Sequence, residues 1–483
     1  MINIIIIFAI VLGITIPLVV LKDKLNKDKV ILATKILAIV LFSLGILRNF
    51  LNDSFIWVIN GGTYSHIYYK VTDITQSILR WFMTLSFIVF PCAAFFKHRV
   101  LKNWAIYFCL PVAIVCTAFY SDFLTYFTTD SGRALPTPDW FRHIEFSLEL
   151  IIMMVLPLLL RFVIGHKFNV KDKFEWINFF GLLPLALIVV IPVVLPQSLF
   201  GFTDRYMMPF SFENIMWILI VLGLFVGIYF AYRFKDRETR YMICIFLSLY
   251  LFYHYNSIYL MDFLMSRMPF QLCNLGSYLV LIALLVKKQG FYNFIVIANV
   301  TGAMIAFCLP DIDEGMLSFW NIHFYIEHTW VFVIPLLIVA LRIADRPKLS
   351  AIKHFFIGFS CYFLFCAAMG IVANCYLYDP TKEFFNKVNY FYIFDSTVLE
   401  VLKFLGFTTK WAVNINNFVF YPLYMFAIYI LYSVLCLAVY YIYVQLCKLG
   451  DDHFKMRGVR IGLLEERGRY KNRKRIPKKI YED

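Results

Sequence analysis

The chain of 483 residues is built from repeated apolar runs, each about as long as a bilayer is thick. A helix needs about 20 apolar residues to cross the roughly 30 Å of bilayer hydrocarbon. The first run, IIIIFAIVLGITIPLVVL, has that length and lacks the alternation of a transmembrane barrel strand. With 61% apolar and only 16% charged residues, the chain lacks the polar surface of a soluble enzyme. The sequence therefore predicts an all-α polytopic membrane protein.

Thirteen apolar segments are predicted to span the bilayer. They lie at residues 2–21, 30–47, 75–96, 103–120, 144–163, 176–198, 212–232, 241–262, 269–286, 291–310, 324–341, 355–377 and 415–446. Most of the 45 Lys and Arg fall in alternate loops and in the C-terminal tail. Because basic loops stay in the cytoplasm, we expect a multi-pass protein of the cell membrane with its N-terminus outside and its C-terminus in the cytoplasm.

Two similar segments indicate an internal repeat. KHRVLKNWAIYFCLPVAIVCTAFYSD and VKKQGFYNFIVIANVTGAMIAFCLPD each hold a basic turn, a helix and a closing Asp. We therefore expect an N-terminal six-helix half at 1–200, which would be a degenerate repeat, and a second six-helix unit at 205–378 in the same orientation. An outer interfacial segment and a last transmembrane helix follow at 379–447. Chance similarity between apolar segments is the alternative.

The positive charge and the cysteines bear on partners and cofactors. The net charge of +14 follows the loops and the tail at 448–483, so we expect no nucleic acid, membrane lipids as partners, and anionic inner-leaflet lipid at the basic tail. The eleven cysteines fall inside or at the ends of apolar runs, without CxxC or Cys/His metal spacing. We expect free thiols and neither a metal nor a cofactor. The oligomeric state is open.

Cys273 differs from the other cysteines by its position. SRMPFQLCNL is predicted to place the thiol in the first turn of a helix, with Pro269 at the first helical position. The N–H groups and positive dipole end of such a turn stabilise a thiolate. His328, in HFYIEHTWVFVIPLL, is expected in the early turns of the next helix but one, at a similar depth. The pair fits the nucleophile and base of acyl transfer, and packing with interfacial hydrogen bonding is the alternative.

Further polar residues are expected near the same layer. His254 is placed about two turns below the outer end of its helix, Asp311 just beyond the outer end of another, and Asn274 beside Cys273. His323 is expected in an interfacial loop.

Two intramembrane charges, Arg80 and Glu149, need partners, and we expect them to pair with each other. A substrate path that they line together with His254 and Glu327 is the functional alternative.

Residues from about 205 to 345 resemble the YwaF family of bacterial integral membrane proteins, which is similar to the eukaryotic transmembrane protein 164 family. The resemblance rests on YHYNSIYLMDFLMSRMPFQLCNLGSYLVLIALLVKKQG, NVTGAMIAFCLPD and EHTWVFVIPLLIVALR. It implies a six-helix unit and the transfer of a fatty acyl chain between phospholipids, with Cys273 as nucleophile and His328 as base. His254 and Asp311 match family positions. The chain departs from the family by its N-terminal half and a thirteenth helix, which leaves substrate and reaction open.

Three interpretations remain as alternatives, of which a non-enzymatic scaffold predicts no pocket and tolerance of Cys273→Ala. An acyltransferase or related lipid-modifying enzyme predicts a Cys/His pocket near the outer face that opens to lipid. A transporter or lipid-translocating protein built from parallel repeats predicts a continuous polar cavity at the bilayer midplane.

Overall fold

The computed structural model describes residues 2–50, 74–121, 139–193, 195–201, 203, 205–260, 263–310, 314–346, 348–394, 398–399 and 403–456. Within these ranges almost all of the elements are helices, and the two strands form one short β-hairpin. Ten of the described helices are long and apolar enough to span a membrane. The polytopic all-α fold is therefore confirmed. The predicted cytoplasmic tail lies almost wholly outside the described residues.

Five helices come first in the chain. They are α1 (Ile2–Val20), α2 (Lys27–Phe50), α3 (Ile74–Phe95), α4 (Arg99–Ala118) and α5 (Asp139–Leu158), the last continued by a π-helical turn at Leu159–Val163. Three short helices follow: α6 (Lys173–Gly181), α7 (Leu183–Val189) and α8 (Leu195–Phe200).

The remaining helices carry the candidate site. They are α9 (Phe212–Tyr232), α10 (Arg237–Asn256), α11 (Leu272–Val286), α12 (Gln289–Cys308), α13 (Phe319–Ala340), α14 (Ile352–Leu377) and α15 (Pro422–Met456). Strands β1 (Val413–Ile415) and β2 (Phe418–Phe420) pair antiparallel just before α15. Their two-residue turn has positive φ at both Asn416 and Asn417, a conformation that Asn tolerates. The last span therefore starts at Pro422 rather than at 415.

The chain divides into two compact units. The N-terminal unit comprises Met1–Asp204, Tyr253–Phe263 and Glu314–His323. The C-terminal unit comprises Arg205–Phe252, Leu264–Asp313 and Phe324–Asp483.

The prediction of one spanning helix at 176–198 is wrong, because this stretch holds the three short helices α6, α7 and α8. Pro184 lies in the first turn of α7, and Pro192 lies between α7 and α8. A proline has no backbone N–H and clashes with the preceding turn, so it is favoured at a helix start and weakens a helix interior. Two other predicted spans form helices outside the ten: α10 begins with charged residues, and α11 is only 15 residues long.

Helices α4 and α12 share an internal pattern. Each consists of a six-residue α-helical segment, a five-residue π-helical turn and a nine-residue α-helical segment. The π turns lie at Ala105–Cys109 and Ile295–Asn299, inside the two segments whose similarity predicted a repeat. Further π turns end α5 at Leu159–Val163 and α14 at Ala373–Leu377, and the internal repeat stays a prediction.

Candidate functional site

Cys273 is the second residue of α11 in the C-terminal unit. The first hydrogen bond within the helix runs from Leu275 N to Gln271 O at 2.8 Å. The N–H groups of residues 272–274 precede it and belong to the orphan donors of a helix start. The thiol is therefore in the first turn, as predicted. The expectation that Pro269 occupies the first helical position is wrong, because Pro269 lies in a turn before the helix.

Side-chain and backbone hydrogen bonds fix the start of α11. Gln271 Nε2 donates to Asn389 O at 3.0 Å, and Phe391 N donates to Gln271 Oε1 at 2.7 Å. One residue earlier, Phe270 O accepts a hydrogen bond from Tyr362 Oη on α14 at 2.9 Å. These bonds explain why the helix begins at Leu272: the Gln271 side chain binds a distant segment and does not cap its own helix.

Helix α11 packs closely against α12 and α13 at Gly276. A Cβ at this position would lie 3.2 Å from Val331 Cγ1 on α13 and would overlap the Asn299 side chain on α12. Asn299 Nδ2 also donates to Leu272 O at 3.1 Å. The glycine therefore permits the approach that joins the first turn of α11 to its neighbours.

The contact between Gly276 and Val331 indicates at what level Cys273 lies relative to His328. Helices α11 and α13 run in the same direction, because α12 returns the chain between them. Cys273 lies three residues before Gly276, and His328 lies three residues before Val331. At 1.5 Å of rise per residue, the two side chains are attached at similar levels on two helices that touch.

The hydrogen bond of His328 defines its tautomer. Nδ1 lies 2.7 Å from Phe324 O, and a carbonyl oxygen only accepts, so Nδ1 carries the proton and donates. In a neutral ring, Nε2 then holds the lone pair that a general base needs. The ring packs at a tilt of 38° against Phe324 with centroids 4.1 Å apart and has Phe307 at its edge, so its orientation is fixed by packing.

Glu327 is a neighbour of the thiol that the sequence assigned only to a transport path. Its carboxyl group lies within electrostatic range of Cys273 and beside the Ser277 hydroxyl. Glu327 is 3% exposed, and its helix, α13, is the most enclosed of the ten candidate spans. Nothing in an apolar helix pattern indicates that this carboxylate would face α11.

Gly302 and Tyr432 complete the surroundings of the sulfur. A Cβ at Gly302 on α12 would lie 3.4 Å from Cys273 Sγ and 3.0 Å from Tyr432 Oη. Tyr432, on α15, donates from Oη to Ala298 O in the π turn of α12 at 2.8 Å. Gly302 therefore lets α12 approach the thiol closely, and Tyr432 on the last helix lies on the same side.

The other predicted site residues have different surroundings. Asn274 is half-buried next to Cys273, and Asp311 lies outside the described residues. His254, in the N-terminal unit, is paired with His323: their rings stack at 4.7 Å and each Nε2 donates to the other residue's carbonyl oxygen. The expectation that His323 lies in an interfacial loop is wrong, because it is a buried residue of α13.

The N-terminal unit holds a buried ion pair between Arg48 on α2 and Glu149 on α5. Both side chains are at most 5% exposed, and the Arg48 guanidinium lies over the rings of Phe87 and Phe146. The predicted partner of Glu149 was Arg80, so that expectation is wrong; Arg80 instead lies within electrostatic range of Arg48.

Within the residues that the structure describes, no three or more His, Cys, Asp or Glu side chains are grouped so that they could hold a metal ion. All eleven cysteines are free thiols.

One of three comparisons with known proteins finds a match. A family model described as the TMEM164 family matches residues 199–443, a range that contains Cys273 and His328. No curated protein matches the chain. No solved structure matches it either.

Proposed function

We propose that this chain, which belongs to the TMEM164 family, is a membrane-embedded acyltransferase acting on phospholipid. Cys273 is the proposed nucleophile and His328 the proposed general base. In this proposal the acyl chains of the substrate reach Cys273 laterally from the bilayer.

The observation that carries the proposal is the contact of α11 with α13 at Gly276 and Val331. It supports a shared level for Cys273 and His328, which are 55 residues apart in the chain. The hydrogen bond from His328 Nδ1 to Phe324 O adds that Nε2 is the nitrogen left to accept a proton.

The proposed reaction moves one acyl group and leaves the oxidation state unchanged. The Cys273 thiol gives its proton to His328 Nε2 while sulfur attacks the ester carbonyl of a phospholipid. The ester C–O bond breaks, His328 returns the proton to the departing lysophospholipid oxygen, and a thioester remains on Cys273. A second lysophospholipid hydroxyl then gives its proton to Nε2 and attacks the thioester, which restores the thiol.

The first turn of α11 supplies the proposed charge stabilisation. The N–H groups of residues 272–274 lie at the positive end of the helix, before the first intrahelical hydrogen bond. Donors of this kind stabilise the negative oxygen that forms when sulfur adds to a carbonyl.

The test is transacylation by the purified, reconstituted full chain, with a phospholipid that carries an alkyne-tagged acyl group. We expect a hydroxylamine-labile adduct on the protein and transfer of the tag to lysophospholipid. Cys273→Ser should abolish the adduct. His328→Gln should slow adduct formation by about 10²–10⁴-fold, the usual contribution of a positioned acid–base group.

Cys361→Ser is the matched control, because Cys361 is an exposed thiol on α14 to which the proposal gives no role. It should keep both the adduct and the transfer. An adduct of undiminished intensity in Cys273→Ser would refute the assignment.

Lipid translocation or transport is the second candidate, and the buried Arg48–Glu149 pair of the N-terminal unit favours it. Charged groups inside membrane proteins commonly line substrate paths. Glu149→Gln separates the two functions: it should stop movement of a tagged lipid between leaflets if this pair serves a path, and should leave acyl transfer measurable if Cys273 carries the chemistry.

A further inference from the structure

A cluster of cations lies in the N-terminal unit where α4 begins, α5 ends and α6 begins. Its members are Arg99, Lys102, Arg161, Lys167, Lys171 and Lys173, and we name them the α4–α6 basic surface. The same segments contain two acidic residues, Asp172 and Glu175. The cations therefore outnumber the acids, and hydrogen bonds hold the segments that carry them in a defined arrangement.

Arg99 and Arg161 tie the loop at 164–172 to the two long helices. Arg99 forms an ion pair with Glu175 and donates from Nη2 to Lys167 O at 3.2 Å. Arg161 Nη1 donates to His166 O at 2.9 Å. The loop is therefore held in place by the cations themselves, which keeps several of them on one surface.

Both acids of the surface have local partners. Glu175 accepts from Asn169 N at 3.0 Å in addition to its ion pair with Arg99. Asp172 caps α6 by accepting from Phe174 N at 2.9 Å. Six cations face these two carboxylates, so the surface keeps an excess of positive charge, with exposed lysines at 167, 171 and 173.

His166 lies among the same cations and stays neutral. Its Nε2 is 2.7 Å from Asn103 Oδ1, so this nitrogen donates. Partial burial, followed by the nearby charges of Lys102 and Arg99, lowers the pKa of His166 to about 4. Burial is the larger cause, and the neighbouring cations act in the same direction, so positive charges surround a ring that carries none of its own.

An exposed apolar face adjoins the basic surface. Helix α6 exposes Phe174, Ile177 and Phe180 by 55% or more, although its other side packs against α4. Trp176 Nε1 donates to Val170 O at 3.0 Å, which holds the ring near the loop. A short helix with aromatic residues on one side and lysines at its start has the composition of a segment that lies in the membrane interface.

We propose that the α4–α6 basic surface binds the phosphate of an anionic phospholipid headgroup, while the exposed face of α6 contacts the acyl chains. Charge alone would suit any phosphate. The adjoining apolar face favours a lipid over a free phosphate, because only the lipid has acyl chains that can contact it. This site is independent of Cys273 and of the proposed acyl transfer.

The test measures the thermal unfolding midpoint of the full chain in mixed micelles titrated with phosphatidylglycerol. Phosphatidylcholine and inorganic phosphate are the comparison arms. We expect a saturable rise with phosphatidylglycerol and none in the other two arms. The triple variant Lys167→Gln, Lys171→Gln, Lys173→Gln should need at least about tenfold more phosphatidylglycerol for half of the rise, since each lysine near an anionic surface contributes about a fivefold change in affinity.

The matched control is the triple variant Lys22→Gln, Lys24→Gln, Lys27→Gln. It removes the same charge from another exposed basic loop of the same unit. This control should respond to phosphatidylglycerol like the unchanged protein. An equal loss in both triple variants would reduce the effect to net charge and overturn the proposal. An equal rise with inorganic phosphate would replace the lipid by a free anion and overturn it as well.

Discussion

Replacing Gly276 by alanine is expected to loosen the junction that positions Cys273. The new Cβ would come within 3.2 Å of Val331 Cγ1 and overlap the Asn299 side chain, so one or both must move. Asn299 is held by its hydrogen bond to Leu272 O, one residue before Cys273. The perturbation therefore reaches the first turn of α11 through one identified contact.

The size of the effect follows from three contributions. Overpacking of a close helix contact costs about 2 kcal/mol. Loss of the bond from Asn299 to Leu272 costs about 1 kcal/mol. Alanine returns about 1 kcal/mol through its higher helix propensity. Gly276→Ala should therefore lower the free energy of unfolding by about 2 kcal/mol.

Gly227→Ala is the matched control, because Gly227 lies inside α9 with nothing within 4 Å of its added Cβ. It should gain up to about 1 kcal/mol. Unfolding by SDS titration in mixed micelles measures both variants, and the alkylation rate of Cys273 by a lipid-soluble maleimide reports on the first turn. If Gly276→Ala is as stable as Gly227→Ala and reacts at the unchanged rate, the contact of α11 with α12 and α13 is incorrect.

Three further perturbations test other parts of the fold. Glu149→Gln removes the carboxylate paired with Arg48 and leaves Glu145 as the acidic group within electrostatic range, so it should cost about 3 kcal/mol in the same SDS titration, whereas Arg48→Met combined with Glu149→Leu should restore most of the loss. Tyr432→Phe removes the bond to Ala298 O and should cost about 1 kcal/mol while α15 stays folded, as judged by circular dichroism. The pKa of His166 is lowered to about 4 in the folded chain, whereas an unfolded chain has the ordinary value of about 6.5. The unfolded chain therefore takes up a proton on this ring first as the pH falls. The free energy of unfolding has its full value above about pH 6.5 and decreases as the pH falls toward 4. His166→Gln should therefore flatten the acid side of a pH profile of the unfolding midpoint, and an unchanged slope there would contradict the neutral state of His166.

The helical class and the position of Cys273 in a first turn could be predicted from sequence, because both depend on local patterns. Apolar runs of bilayer length give spans, and polar residues after a turn give a helix start. The register of that start could not be predicted. The bonds that set it join Gln271 to Asn389 and Phe391, more than a hundred residues away.

Which acidic and basic side chains pair inside the helices could not be predicted from the sequence either. Glu149 pairs with Arg48 on a helix 101 residues earlier, and an apolar pattern does not specify which face of each helix meets which neighbour. The broken span at 176–198 is different, since its prolines were visible and a hydropathy window simply averages over them. Glu327 and Gly302 became site candidates only when the packing of α11, α12 and α13 was known.

The central claim is tested most directly by mass spectrometry of the peptide that contains Cys273. The protein is mixed with one equivalent of acyl donor, and the reaction is quenched at successive times. The account predicts that an acyl group appears on Cys273 before the acyl lipid product and disappears when lysophospholipid is added. Product formed at the full rate with no acylated Cys273 at any time would contradict it.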